Sequence, residues 1–134
     1  MTKLQDIEGI GPVYAEKLTA AGVQSIESLL KLGATPKGRE ELAEKAGIAK
    51  TLILEWVNHA DLFRIKGVAE EYSDLLEEAG VDTVVELANR RPDNLHAKML
   101  EVNEEKNLVR RPPSLKEVEK WVEQAKKLPR AVHY

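Results

Sequence analysis

The residues of this sequence with the clearest chemical potential form a short glycine turn, residues 7–12, which read Ile-Glu-Gly-Ile-Gly-Pro. Gly9 and Gly11 can adopt positive φ and, without a Cβ, let another group approach the backbone closely. Pro12 suits the first turn of a helix, where its missing N–H costs no hydrogen bond, and Gly22 ends that helix. Because the first N–H groups of a helix have no partner within it, the turn is a potential anion site.

Basic side chains that could assist such a site are concentrated late in the chain. The formal net charge is −3, which argues against wholesale electrostatic capture of nucleic acid. The charges are segregated, with seven acidic and no basic residues over 70–86 and seven basic against three acidic residues over 110–134. Three basic pairs fit either phosphate contacts or solvated loops and helix ends: Arg90-Arg91, Arg110-Arg111 and Lys126-Lys127.

The sequence lacks the residue patterns of common catalytic and metal sites. It contains no cysteine, which excludes disulfides, thiolate ligands and cysteine nucleophiles. His59, His96 and His133 show no metal-ligand spacing. No serine has a plausible histidine and aspartate partner set, and there is no phosphate-binding P-loop. We therefore expect no enzyme activity, no catalytic residues, no metal and no cofactor.

Helix signals cover almost the whole sequence, and no segment has a convincing strand pattern. Apolar residues at spacings of three and four predict a long helix over about 50–63. Thr83 with Glu86 and Ser114 with Glu117 have the spacing of capping boxes. Capping residues predict four helix starts, which lie at Ser25, Thr35, Thr83 and Ser114, and the sequence Arg91-Pro92-Asp93 predicts a fifth.

The sequence pattern repeats after 58 residues, with eight identities in 24 aligned positions. Tyr14 and Tyr72 are equivalent in this alignment, which indicates a shared packing role. Trp56 and Trp121 repeat at a shift of 65, and both lie within apolar stripes. We interpret the two tryptophans as core anchors.

These observations predict an all-α fold built from two four-helix repeats, residues 1–61 and 62–134. Four short helices bury little surface alone, so we expect the repeats to share a core and to form one compact domain. The sequence has no leader with an apolar core and no apolar run long enough for a membrane span. We therefore expect a cytoplasmic protein that does not enter a membrane.

The glycine turn, with Ala15, Leu18, Gly22 and Val23 after it, resembles the helix-hairpin-helix motif. That motif occurs in DNA repair enzymes, polymerases and ligases, often in tandem pairs. With its Trp-Val pairs and duplicated layout, the whole chain is similar to an uncharacterised helix-hairpin-helix family catalogued as domain of unknown function 4332. The resemblance implies a fold of two tandem helix-hairpin-helix repeats.

In DNA-binding members of the wider superfamily, the turn offers backbone N–H groups to a phosphate. The resemblance implies that the contact residues here are Gly9, Ile10 and Gly11, assisted by Lys17. This sequence departs from the pattern in the two residues after Pro12, which are valine and tyrosine where strong DNA binders more often have lysine, arginine or threonine.

The second copy of the turn departs further. Ala69 stands where the first copy has its second glycine, and Glu70 and Glu71 follow immediately. Two carboxylates at a helix start complement its dipole from within the chain and repel phosphate. We expect the second turn to be structural.

Two functions are consistent with the sequence. One is non-specific binding of nucleic-acid backbone, most simply of DNA, through Gly9, Ile10, Gly11 and Lys17, with Arg110 and Arg111 as supporting cations. The other is a protein-interaction or adaptor module, in which both turns only position helices and the partner is another protein.

Overall fold

The protein is all-α. The computed structural model describes residues 3–68 and 70–134, and within them it has eight α-helices, one short 3-10 turn at Leu4–Asp6 and no strand. None of these helices has the length and apolar character needed to cross a bilayer. The helices are α1 Pro12–Ala20, α2 Ile26–Leu32, α3 Pro36–Ala46, α4 Lys50–Leu62, α5 Glu70–Glu78, α6 Val84–Ala88, α7 Pro92–Lys106 and α8 Leu115–Lys127.

Hydroxyl side chains cap four of the helices at positions that the sequence predicts. Each accepts a hydrogen bond from the backbone N–H three residues later, which satisfies one N–H that the helix leaves open. The capping box predicted for Thr83 and Glu86 is not formed, because the carboxylate of Glu86 accepts from the N–H of Asp82 (2.9 Å), one residue before the cap. The capping box predicted for Ser114 and Glu117 is confirmed. The capping residues are Ser25, Thr35, Thr83 and Ser114.

Contacts along the chain define two units. The first contains Met1–Asp61 together with Ala131–Tyr134, and the second contains Leu62–Arg130. Residues 131–134 fall in the second of the two repeats predicted above, whereas their contacts group them with the first unit. The core shared by the two repeats stays a prediction.

The same glycine turn occurs in both units. We call residues 7–11 the first glycine turn and residues 65–68 the second glycine turn. In each, the fourth residue donates its N–H to the carbonyl of the first over 3.1 Å. The glycine between them is left-handed, with φ of +95° at Gly9 and +94° at Gly67. The first and fourth residues of each turn are buried apolar side chains, so the turn is part of the core of its unit.

Arg39 of α3 connects residues 131–134 to the first unit. Its guanidinium donates to the carbonyl of Gly33 (2.8 Å) and to the carbonyl of His133 (2.7 Å). It also lies 5.7 Å from the centre of the Tyr134 ring. The Arg39 side chain is buried, and burial lowers the pKa of its guanidinium. Because a buried charge is costly without partners, the two carbonyls are needed to keep Arg39 in this position.

Residues 131–134 add contacts of their own. The N–H of His133 donates to the carbonyl of Ala34 (2.8 Å), and the hydroxyl of Tyr134 donates to Oδ1 of Asn58 (3.0 Å). Val132 is buried, with 2% of its surface exposed. The segment is therefore held by one apolar anchor, Val132, and by hydrogen bonds of the two residues that follow it.

We expect Arg39→Ala to reduce the free energy of unfolding by about 2 to 4 kcal/mol, because two carbonyls lose a charged donor. Arg39→Lys should recover only part of this loss, since an ammonium lacks the planar fork that reaches both carbonyls. Urea unfolding followed by circular dichroism measures the change. Glu40→Ala, at the exposed neighbouring position, is the control, and an Arg39→Ala variant as stable as this control would contradict the role of Arg39.

Candidate nucleic-acid interface

A tryptophan indole lies against the central glycine of each turn. A Cβ built on Gly9 would be 3.3 Å from Nε1 of Trp56, and one built on Gly67 would be 3.0 Å from Nε1 of Trp121. Both tryptophans are buried, as the sequence predicts for core anchors. Glycine is therefore required at this position for two reasons, the positive φ and the close approach of the indole.

A tyrosine from the following helix packs on each indole. The ring centres are 5.1 Å apart for Tyr14 and Trp56 and 5.2 Å apart for Tyr72 and Trp121, with tilted ring planes in both pairs. The shared packing role predicted for the two tyrosines is confirmed. In the first unit, Nζ of Lys17 lies 5.9 Å from the centre of the Tyr14 ring. The Tyr14 and Trp56 rings thus link Lys17 to the first glycine turn.

The three residues of the first glycine turn that the resemblance implicates differ in what they expose. Ile10 is buried, and its N–H is used within the turn. The N–H groups of Gly9 and Gly11 have no acceptor among the described residues. Gly11 is the N-cap of α1, with φ of −86°, and a Cβ added there would meet no atom within 4 Å. Of these three residues, Gly9 and Gly11 therefore carry the open donors.

The start of α1 lacks both features that compensate the helix dipole at five other helix starts. N-caps are described for six helices, namely α1, α2, α3, α6, α7 and α8. Four of these have a hydroxyl cap, and α7 has Asp93 in its first turn. Within that group, α1 alone has neither a side-chain cap nor an acidic residue in its first turn. Its positive dipole end is therefore not compensated by the first turn of its own helix.

In the second glycine turn, a glutamine side chain of the same unit forms hydrogen bonds with the backbone. The N–H of Lys66 donates to Oε1 of Gln124 (3.0 Å), and Nε2 of Gln124 donates to the carbonyl of Lys66 (3.2 Å). No sequence signal predicts this pairing, because two polar residues 58 positions apart are involved. The substitution at Ala69 lies outside the described residues, and α5 begins at Glu70 directly after it.

Arg110 and Arg111 belong to the second unit, whereas Gly9, Gly11 and Lys17 belong to the first. The Arg111 guanidinium donates to both carboxylate oxygens of Glu117, over 2.8 and 3.0 Å. The carbonyl of Arg111 accepts from the Tyr72 hydroxyl (2.8 Å). Arg110 is exposed and makes no ion pair with the acidic residues that the structure describes. Arg111 is thus tied to the tyrosine that packs beside the second glycine turn.

The ion pair with Arg111 lowers the pKa of the Glu117 carboxylate. The hydrogen bonds from Arg111, together with the N–H of Ser114 donating to Oε1 of Glu117 (3.0 Å), lower the pKa of Glu117 to about 2. The same carboxylate completes a capping box at the start of α8. Glu117 therefore stays ionised well below the usual range of a glutamate.

The other two basic pairs lie at helix ends. Arg91 pairs with Asp93 (3.1 Å) at the start of α7, and Nη1 of Arg90 donates to the carbonyl of Gly80 (3.4 Å). The pair at 126–127 is exposed in the last turn of α8, where cations complement the helix dipole.

Comparison with known proteins gives a family but no further relative. A family model described as "Domain of unknown function (DUF4332)" matches residues 8–128. The chain belongs to this family. No curated protein and no solved structure matches the chain. The DUF4332 match covers both central glycines and both tryptophans, so the glycine–indole contact lies within the family region.

We expect Gly9→Ala to lower the free energy of unfolding by about 1 to 2 kcal/mol, because alanine is strained at positive φ and its Cβ would crowd the Trp56 indole. Gly11→Ala is the matched control, since residue 11 has negative φ and open space around its Cβ. Urea unfolding monitored by tryptophan fluorescence compares the two variants. Equal stabilities would show that the left-handed glycine is not required for the Trp56 packing.

Glu117 makes the stability of the protein depend on pH. Because its pKa is lowered in the folded protein, its ionised form stabilises the fold above the ordinary glutamate pKa of about 4.3, and this contribution disappears as the pH falls toward about 2. We expect the urea midpoints of wild type and Glu117→Gln to differ most at neutral pH and to converge in acid. Glu119→Gln, at an exposed position of α8, should show no such convergence. A pH-independent effect of Glu117→Gln would contradict the expectation.

Proposed function

We propose that this DUF4332 member is a tandem helix-hairpin-helix protein without enzyme activity, which binds nucleic-acid backbone through its first glycine turn. The open start of α1 carries the proposal. The N–H groups of Gly9 and Gly11 lack acceptors among the described residues, and the first turn of α1 contains no acidic residue. A phosphate oxygen is the kind of acceptor that such donors and the positive end of a helix favour.

The side chains near the turn favour weak binding. Lys17, in the last turn of α1, is the cation that contacts the Tyr14 ring, whereas Glu8 is exposed within the turn itself. Val13, in the first turn of α1, is apolar and 67% exposed. Contacts to backbone N–H groups read no base, so the binding that we propose is independent of nucleotide sequence and sensitive to salt.

Arg110 and Arg111 have different roles in this proposal. Arg110 is exposed and has no ion pair with the acidic residues that the structure describes, so its guanidinium is available for a supporting phosphate contact. Arg111 would have to exchange its two hydrogen bonds with Glu117 for bonds to phosphate, and this exchange reduces the net gain. A cytoplasmic location, expected from the sequence, belongs to the same proposal.

A protein-interaction module is the alternative, and one observation favours it. The positive φ of residue 9 and the approach of the Trp56 indole together explain why this residue is glycine, so the turn has a structural role without any ligand. The exposed Val13 side chain would then be part of a surface that contacts another protein. In this case the DNA-binding experiment below gives no signal, and the protein should form a stable complex with a partner or with itself.

We expect Gly11→Glu to abolish binding to a DNA duplex, because a carboxylate at the N-cap occupies the anion position and repels phosphate. Residue 11 has negative φ and open space around its Cβ, so the variant should fold like wild type. Fluorescence anisotropy with a labelled duplex measures the affinity, between about 50 and 200 mM salt. The logarithm of the wild-type binding constant should fall linearly with the logarithm of the salt concentration.

Two further variants separate local from general effects. Ala49→Glu adds the same charge at an exposed residue whose carbonyl accepts from the first N–H groups of α4, and it should reduce affinity much less. Gly11→Gln matches the size of the glutamate without its charge and should retain part of the binding. Unchanged affinity in Gly11→Glu, or an affinity that does not depend on salt, would exclude the first glycine turn as the phosphate contact.

A further inference from the structure

One side of α8 has lysines along much of its length. At 3.6 residues per turn, Lys116, Lys120 and Lys127 lie within an arc of about 40° and span about 16 Å along the axis. All three are exposed. They lie opposite the buried side of the helix, which consists of Val118, Trp121, Val122 and Ala125.

The second glycine turn adds a fourth lysine to this surface. Gln124 lies on α8 between Lys120 and Lys127, and its two hydrogen bonds to the backbone of Lys66 hold the turn against the helix. Arg64 is held in the same region, because its Nη2 donates to the carbonyl of Pro129 (2.7 Å). We call Lys66, Lys116, Lys120 and Lys127 the lysine face.

The lysine face is not neutralised by the acidic residues that the structure describes. None of its four lysines takes part in an ion pair with them. Residues 63–68 and 107–130 contain nine basic and three acidic residues. Glu117 and Arg111 pair with each other, which leaves eight basic residues against Glu119 and Glu123, the exposed carboxylates of α8. Helical spacing places Glu123 about 20° from the edge of the lysine arc, so the face carries one carboxylate beside its lysines and a net positive charge.

We propose that the lysine face binds the phosphate backbone of a nucleic-acid strand. Successive phosphates of one strand of duplex DNA rise about 3.4 Å along the helix axis and also wind around it, so a row of lysines about 16 Å long can reach more than one phosphate. The inference rests on the proposed function for the class of ligand. It assigns the phosphate contacts of the second unit to the lysines of α8 and to Lys66. The residues predicted from the sequence for this role are Arg110 and Arg111.

The test is the salt dependence of binding to a labelled DNA duplex by wild type and by the triple variant Lys116→Gln, Lys120→Gln, Lys127→Gln. Each lost phosphate contact lowers the slope of log K against log salt by about 0.9, so we expect the slope to become shallower by about 2 to 3. Glutamine is a good helix former, and the three side chains are exposed. Circular dichroism checks that the variant remains folded.

The matched control removes the same three charges from the first unit, with Lys31, Lys37 and Lys45 each changed to glutamine. These lysines are exposed and have no ion pair with the described residues. The control should keep the wild-type slope. An equal loss of slope in the control would overturn the proposal, because the effect would then reflect net charge and not the lysine face.

The outcomes also separate this inference from the first glycine turn. A shallower slope in the α8 variant, with binding unaffected by Gly11→Glu, supports the lysine face and excludes the turn. Loss of binding in Gly11→Glu, with the wild-type slope in the α8 variant, supports the turn and overturns the lysine face. Absence of any DNA binding overturns both, and so does binding only to vesicles that contain phosphatidylserine, because the partner would then be a membrane surface.

Discussion

The contact between a tryptophan indole and a left-handed glycine determines the arrangement of each unit. An aromatic residue of this size buries roughly 150–250 Å², which corresponds to about 4 to 6 kcal/mol as an upper estimate at 25 cal/mol per Å². A Cβ at residue 9 or 67 would crowd the indole, at 3.3 and 3.0 Å from its Nε1, so glycine allows the indole its full approach. The turn, the tyrosine that covers the indole and the start of the next helix are thereby fixed together.

Turn geometry and turn electrostatics are independent in this protein. The two turns have nearly the same φ, the same internal hydrogen bond and the same aromatic packing. Their surroundings differ, since the second turn is bonded to Gln124 and is followed by a helix that begins with two glutamates. Glycine spacing therefore indicates the fold of the turn, whereas the charges and bonds around it decide what it can bind.

Local sequence signals predicted the helix starts and the glycine turns well. They did not predict polar contacts between residues that are far apart in the sequence. Hydroxyl caps predicted four helix starts, and the 58-residue shift relates two turns with the same backbone geometry. Arg39 was missed because arginine is seldom buried, although its spacing from Leu42 and Ala46 places it on the apolar side of α3. For the candidate site, the sequence could predict an open helix start at Gly9 and Gly11. It could not show that the N–H of Ile10 donates to the carbonyl of Ile7 and is therefore not available to a ligand.

The return of residues 131–134 to the first unit has a consequence for the order of folding. Leu62–Arg130 form a continuous segment, whereas the first unit is assembled from two segments separated by that whole stretch. During synthesis from the N-terminus, Arg39 emerges long before the carbonyl of His133 that it binds. The second unit can therefore complete its contacts within one continuous segment, whereas the hydrogen bond from Arg39 to His133 forms only after all of residues 62–130 have been made.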